Sequence, residues 1–140
     1  MKILFVCTGN TCRSPMAEGI AKKLYPNFEF SSAGLYVNEF DCASQNSIEA
    51  LKDFDIDISS HTSIQFTNEL ANEFDYIVPM TFSHKQMLLM LGIDNEKIIT
   101  FNEEISDPFG CSLDVYKECA KQIEKNIKFT IGEFYDNNSK

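Results

Sequence analysis

Residues 2–24 read KILFVCTGNTCRSPMAEGIAKKL. After Lys2, Ile3 to Val6 form a continuous apolar run, the pattern of a strand covered on both faces in a parallel sheet. A short polar loop follows, and then Ser14 is the expected N-cap of a helix with Pro15 as its first residue. Met16, Ala17, Ile20, Ala21 and Leu24 continue at helical spacing. Strand, loop and helix in that order are the unit of an α/β domain, with its central strand first. The stretch also holds Arg13, the one arginine of a chain that otherwise uses eleven lysines.

Working outward, NFEFSS (27–32) alternates Phe28, Phe30 and Ser32 with polar neighbours, which suits an edge or near-edge strand that ends at Ala33-Gly34. SQNSIEALKDF (44–54) reads as a helix, and SSHTS leads to a short helix near 67–72. FDYIV (74–78) reads as a third strand. Its helix carries Phe82, Met87, Leu88 and Leu91 and stops at Gly92, and KIITF (97–101) reads as a fourth strand. Leu113, Tyr116, Ala120, Ile123 and Ile127 mark a last amphipathic helix, whose polar tail DNNSK is expected to fray. Alternating strands and helices imply a three-layer α/β/α domain around a four-stranded parallel sheet with right-handed crossovers.

The 140 residues, 44% hydrophobic and 24% charged, suit one domain over 1–140 with no room for a second. No apolar stretch is long enough to span a bilayer, and MKILFV is too short for a secretory signal, so the expectation is a cytoplasmic protein. A formal charge of -9 argues against nucleic acid or an anionic membrane as partner. An anionic ligand would need a local site that overcomes this field. The five cysteines, Cys7, Cys12, Cys42, Cys111 and Cys119, have no zinc-like spacing and are odd in number, so at least one is to be judged on reactivity.

CTGNTCRS (7–14) lies where open α/β sheets bind ligands, beyond the carboxyl end of a strand. Five residues between Cys7 and Arg13 suffice to curl the backbone so that N–H groups converge on one centre, and the following helix adds its positive end. Gly9 and Asn10 are the residues that most readily take the left-handed conformations of such a curl. A planar guanidinium bonds two phosphate oxygens at once, which a lysine cannot do with that geometry, and this explains the single arginine. Cys7, ringed by amides and beside Arg13, is expected to be a thiolate and a nucleophile.

At this point the sequence resembles the low-molecular-weight protein-tyrosine phosphatases, through the C-x5-R-[ST] loop at its start, Ser32-Ala33-Gly34, His61 after ISS, and Asp107-Pro108-Phe109. The resemblance covers nearly the whole chain and implies the strand order 2-1-3-4. It implies that Cys7 attacks phosphorus to form a phosphocysteine. Arg13 and the amides of Thr8, Gly9, Asn10, Thr11, Cys12, Arg13 and Ser14 would hold the phosphoryl oxygens. Asp107 would protonate the leaving atom and then activate water; on spacing alone it reads as an Asp-Pro turn residue. Ser14 would donate to the sulfur, Asn10 would stiffen the loop, and Cys12 would form a reversible disulfide with Cys7 that guards it from over-oxidation. No metal or cofactor is called for, because amides and arginine supply the electrostatic stabilisation.

Thr11, where an aliphatic residue is usual, Phe109-Gly110 in place of two aromatics, and Met80-Thr81 for Met-Asp look closer to the protein-arginine phosphatase branch. A phosphotyrosine ring gains from aromatic walls, whereas a phosphoguanidinium needs polar acceptors, so Thr11 and Phe109 are the expected substrate-pocket residues. The expected substrate is phosphoarginine in proteins, with phosphotyrosine as the alternative, inorganic phosphate as product and a monomer as the working unit. A thioredoxin-coupled arsenate reductase would need two further cysteines past the middle, and residues 43–110 contain none. A phosphocarrier of a sugar phosphotransferase system would not need Arg13. His61 and His84 read as structural hydrogen-bonding residues, Cys42, Cys111 and Cys119 as structural, Met87, Leu88 and Met90 as helix core, and Glu103 and Glu104 as a solvated face.

Overall fold

β1 (Lys2–Cys7) forms from the opening apolar run, and its side chains alternate between two cores. The structure, a computed structural model, describes residues 1–138. Ile3, Phe5 and Cys7 face a core built with Met16, Ala17 and Ile20 of α1 (Arg13–Leu24) and with Tyr116, Ala120, Ile123 and Ile127 of the final helix. Leu4 and Val6 face a smaller core with Ala71, Ile77 and Leu88. This is why the run is unbroken: both faces of the strand are dry, so no polar alternation survives.

β2 (Glu29–Gly34) and β3 (Tyr76–Pro79) flank β1 as parallel neighbours, with Cys7 opposite Gly34 and Val6 opposite both Ala33 and Pro79. α2 (Gln45–Lys52) and α3 (Asn68–Ala71) are capped by Ser44 and Thr67, whose side chains accept from Ser47 and Leu70 N–H. α4 (Phe82–Met90) is capped in the same way by Thr81, and the turn after it uses Gly92 at φ +88°. α5 (Leu113–Asn138) lies along α1 and α2. It takes in the first three residues of the tail expected to fray; the last two lie outside the described residues.

Four expectations need correction. The sheet has three strands among the described residues, in the order β2-β1-β3. The segment expected as a fourth strand touches β3 through one parallel bridge, Ile77 with Ile98, where Ile99 N–H donates to Ile77 O at 3.0 Å. The next rung would require an N–H from residue 79, and Pro79 has none. A cleft of about 250 Å³, lined by Pro79, Met80, Thr100 and Phe101 among others, opens where the ladder stops.

Ser14 is not a cap: α1 starts at Arg13 after Cys12, no side chain caps it, and Pro15 falls in the first turn, where its missing N–H costs nothing. Of the Met87, Leu88 and Met90 group only Leu88 is fully buried, and Met90 is 85% exposed. Of the three cysteines read as structural, Cys119 is buried, whereas Cys42 and Cys111 are exposed.

Candidate active site

The loop from Thr8 to Cys12 joins the carboxyl end of β1 to the N-terminus of α1, and Asn10 makes its tight bend at φ +57°. Asn10 tolerates this left-handed conformation better than most residues. Gly9, also expected to be left-handed, has no positive φ. Asn10 is fully buried, and every polar part of it is used. Its Nδ2 donates to Ser14 Oγ (2.8 Å), its Oδ1 accepts from Ile64 N–H (2.9 Å), and its carbonyl accepts from Ser63 Oγ (2.8 Å) and His61 Nε2 (3.1 Å). Behind His61, Nδ1 lies 4.0 Å from Glu18, which also accepts from Ser32 Oγ at 2.6 Å. The loop is thus clamped from outside before any ligand enters.

The Cys7 sulfur receives Asn10 N–H at 3.3 Å and lies 2.9 Å from Ser14 Oγ. In the Cys7–Ser14 pair either atom can be the donor. Gly34 packs directly behind. A Cβ there would stand 2.7 Å from Thr8 O and 2.9 Å from Asn10 N, so the glycine of Ser32-Ala33-Gly34 has a steric cause.

Arg13 is buried and donates from Nη1 to Ile105 O at 3.0 Å, while Nη2 lies 3.7 Å from Asp107 Oδ2. One side chain therefore joins the loop to the distant segment that carries Asp107. Asp107 also accepts from Phe109 N–H at 3.1 Å, the local bond of an Asp-Pro turn.

A cleft of about 790 Å³ brings Cys7, Thr8, Gly9, Thr11, Cys12, Arg13, Asp107 and Phe109 together. Asn10 and Ser14 sit beneath it. Cys12 turns its buried sulfur to Tyr116 Oη (3.3 Å) and Ser44 Oγ (3.5 Å), and Cys7 and Cys12 are free thiols. Burial and the bond to Cys12 push the Tyr116 hydroxyl up to about 12, and burial pushes the Cys119 thiol up to about 12. Both groups therefore stay protonated and uncharged near neutral pH.

One group of residues lay beyond the sequence reading. The loop after β2 lines the cleft with Tyr36, Asn38, Phe40, Asp41 and Cys42, and Phe40 is 93% exposed at φ +67°. Pocket walls after a strand's carboxyl end are expected in such sheets, and the pair of aromatics just past Gly34 was the available signal. His84, read as a hydrogen-bonding residue, has Nε2 at 2.9 Å from Thr8 Oγ1 and Nδ1 at 3.0 Å from Thr81 Oγ1. Burial, reinforced by the Arg13 charge, holds the imidazole down at about 4, so it is neutral at physiological pH.

Among the described residues no group of three or more His, Cys, Asp or Glu could hold a metal, and no helix is long and apolar enough to cross a membrane.

A family model for low molecular weight phosphotyrosine protein phosphatase matches residues 2–137. A Staphylococcus epidermidis protein named low molecular weight protein-tyrosine-phosphatase PtpB is 39% identical over 129 residues, 88% of this chain and 91% of its own. A Bacillus subtilis protein-arginine-phosphatase is 36% identical over 140 residues, 91% of this chain and 93% of its own. The solved structure of a Cys-to-Ser mutant of the YwlE arginine phosphatase, with a phosphorylated active-site serine, superposes with a TM-score of 0.88 at 32% identity. It covers 100% of this chain and 97% of that one. Phosphorylated proteins are the family's substrates and inorganic phosphate its product. This chain is a cysteine-dependent phosphatase and belongs to the low molecular weight phosphotyrosine protein phosphatase family.

Proposed function

We propose that the protein hydrolyses phosphoarginine in proteins, with Cys7 as nucleophile, Arg13 and the loop amides of residues 8–14 as the phosphoryl cradle, and Asp107 as acid and then base. The Cys7 thiolate attacks phosphorus as the P–N bond breaks, and the Asp107 carboxyl gives its proton to the departing guanidine nitrogen. The carboxylate then takes a proton from water, whose oxygen displaces the sulfur and releases phosphate. Arg13 and the amides carry the charge that gathers on the phosphoryl oxygens. Cys12 is the reserve thiol, able to pair with Cys7 under oxidation.

The observation that carries the substrate assignment is the polar lining of the cleft, where Thr11, Asp107 and Asp41 offer oxygen acceptors around the cradle. A guanidinium with several N–H donors needs such acceptors, and a tyrosine ring has no donor for them. The likeness to the Bacillus subtilis arginine phosphatase supports the same reading. A second reading rests on Tyr36 and Phe40. The chain was expected to have Phe109 as its single pocket aromatic, but these two also line the cleft and could flank a phosphotyrosine ring. The likeness to PtpB favours it too.

Matched peptides phosphorylated on arginine or on tyrosine, with Cys7→Ser as the blank, separate the two. The expected result is a kcat/KM at least tenfold higher for phosphoarginine. Equal or higher turnover of phosphotyrosine would overturn the assignment.

A further inference from the structure

The contact of Thr8 with His84 links an exposed residue of the cleft to a buried side chain on α4, 76 positions away. His84 is only 5% exposed, and both ring nitrogens are occupied by threonine hydroxyls, Thr8 at Nε2 and Thr81 at Nδ1. Thr81 is itself fixed, because its Oγ1 also accepts His84 N–H as the cap of α4. The chain of bonds therefore runs from a helix cap, through an imidazole, to a hydroxyl at the edge of the phosphoryl cradle. Such support restricts the Thr8 rotamer.

We propose that His84 holds the Thr8 hydroxyl oxygen as an acceptor for a guanidinium N–H of the substrate, so that Thr8 is a specificity-determining residue and His84 its positioning residue. If Nε2 carries the proton it donates to Thr8 Oγ1 and occupies one lone pair, and if Thr8 donates to Nε2 both lone pairs stay free. Either way an oxygen lone pair is left over.

The leaving group of a phosphoryl group seated in the cradle would extend into the cleft that Thr8 and Asp107 line. For phosphoarginine that group keeps N–H donors beyond the nitrogen being broken from phosphorus; for phosphotyrosine it presents ring C–H. A fixed acceptor thus rewards one substrate and is left unpaired by the other. The buried imidazole suits this task because burial and Arg13 keep it neutral, with Asp107 and Glu104 opposing them from the facing segment.

This inference rests on the phosphoarginine reading, and the test tells the two apart. The kcat/KM ratio of phosphoarginine to phosphotyrosine peptides is measured for wild type, Thr8→Ser, Thr8→Val, His84→Gln and the Thr8→Val/His84→Gln pair. The exposed position of Thr8 keeps the Thr8 variants informative whatever happens to folding in His84→Gln, and Thr81→Val probes the same chain from its far end. Thr8→Val is expected to lower the ratio by about tenfold to a hundredfold, the worth of a hydrogen bond from a charged donor. Thr8→Ser should keep it. His84→Gln and Thr81→Val should lower it, and His84→Gln should add no further loss once Thr8 is valine.

A wild type that favours phosphotyrosine would overturn both the substrate assignment and this device. A wild type that favours phosphoarginine, with an unchanged ratio in Thr8→Val or with additive losses in the pair, would overturn the device alone.

Discussion

Replacing Gly34 with alanine should damage catalysis without changing any side chain that meets the substrate. The added Cβ would stand 2.7 Å from Thr8 O, 2.7 Å from Val37 Cγ2 and 2.9 Å from Asn10 N. Ordinary contact begins near 3.4 Å, so the loop backbone must retreat by about 0.7 Å. It has little freedom to do so, because Asn10 is bound on the far side by Ile64, Ser63 and His61. Overpacking of this kind costs about 1–3 kcal/mol. In a chain of this length that lowers Tm by roughly 3–10 °C.

The catalytic effect should be larger than the stability effect suggests, because displacing reacting groups by about 1 Å can cost on the order of a hundredfold in rate. The assay is kcat/KM on an activated aryl phosphate, with the inhibition constant of inorganic phosphate and a thermal melt alongside. A hundredfold fall in kcat/KM, with weaker phosphate inhibition and a folded protein, is expected. A kcat/KM within a factor of two of wild type would refute the claim that β2 sets the shape of the cradle.

Two other perturbations follow from the same geometry. Asp107→Asn should slow a peptide substrate or an unactivated phosphate by about 10²- to 10⁴-fold in kcat, the range of general acid catalysis, and an activated aryl phosphate far less; equal losses on both would remove Asp107 from the proton-transfer role. His84 should make the fold acid-sensitive, because the unfolded imidazole binds a proton below about 6.5 while the buried one resists until about 4. The unfolded state then holds more protons across that window, so stability falls as pH drops from 6.5 to 4, by up to about 3 kcal/mol. Urea melts from pH 7 to 4 should show this loss, reduced in His84→Gln, and an unchanged slope in the variant would contradict it.

What could be read in the sequence was set by how local the cause is. β1 and α1 follow from apolar spacing within a dozen residues, and the meeting of Cys7 with Arg13 follows from their separation in one loop. Asp107 came from resemblance, since its turn chemistry is ordinary, and only the reach of Arg13 to Ile105 O and Asp107 shows how the distant segment is tied to the loop. The fourth strand failed on one missing N–H at Pro79, just past the apolar run that marked β3. Ser14 failed as a cap for a different reason: its hydroxyl is used by Cys7 and Asn10, a tertiary demand that overrides the local preference. Tyr36 and Phe40 sit in an irregular loop with no period to read. The Thr8 to His84 bond joins elements from opposite halves of the chain and has no local signature at all.

The central claim is that the phosphoryl group passes through Cys7. Rapid denaturing quench of Asp107→Asn during turnover of a phosphopeptide, followed by mass spectrometry of the digest, tests it directly. The account predicts a phosphoryl group on the Cys7 sulfur that accumulates before steady state and is absent when the phosphopeptide is omitted. Turnover without any phosphorylated Cys7, or with the label on another residue, would contradict it.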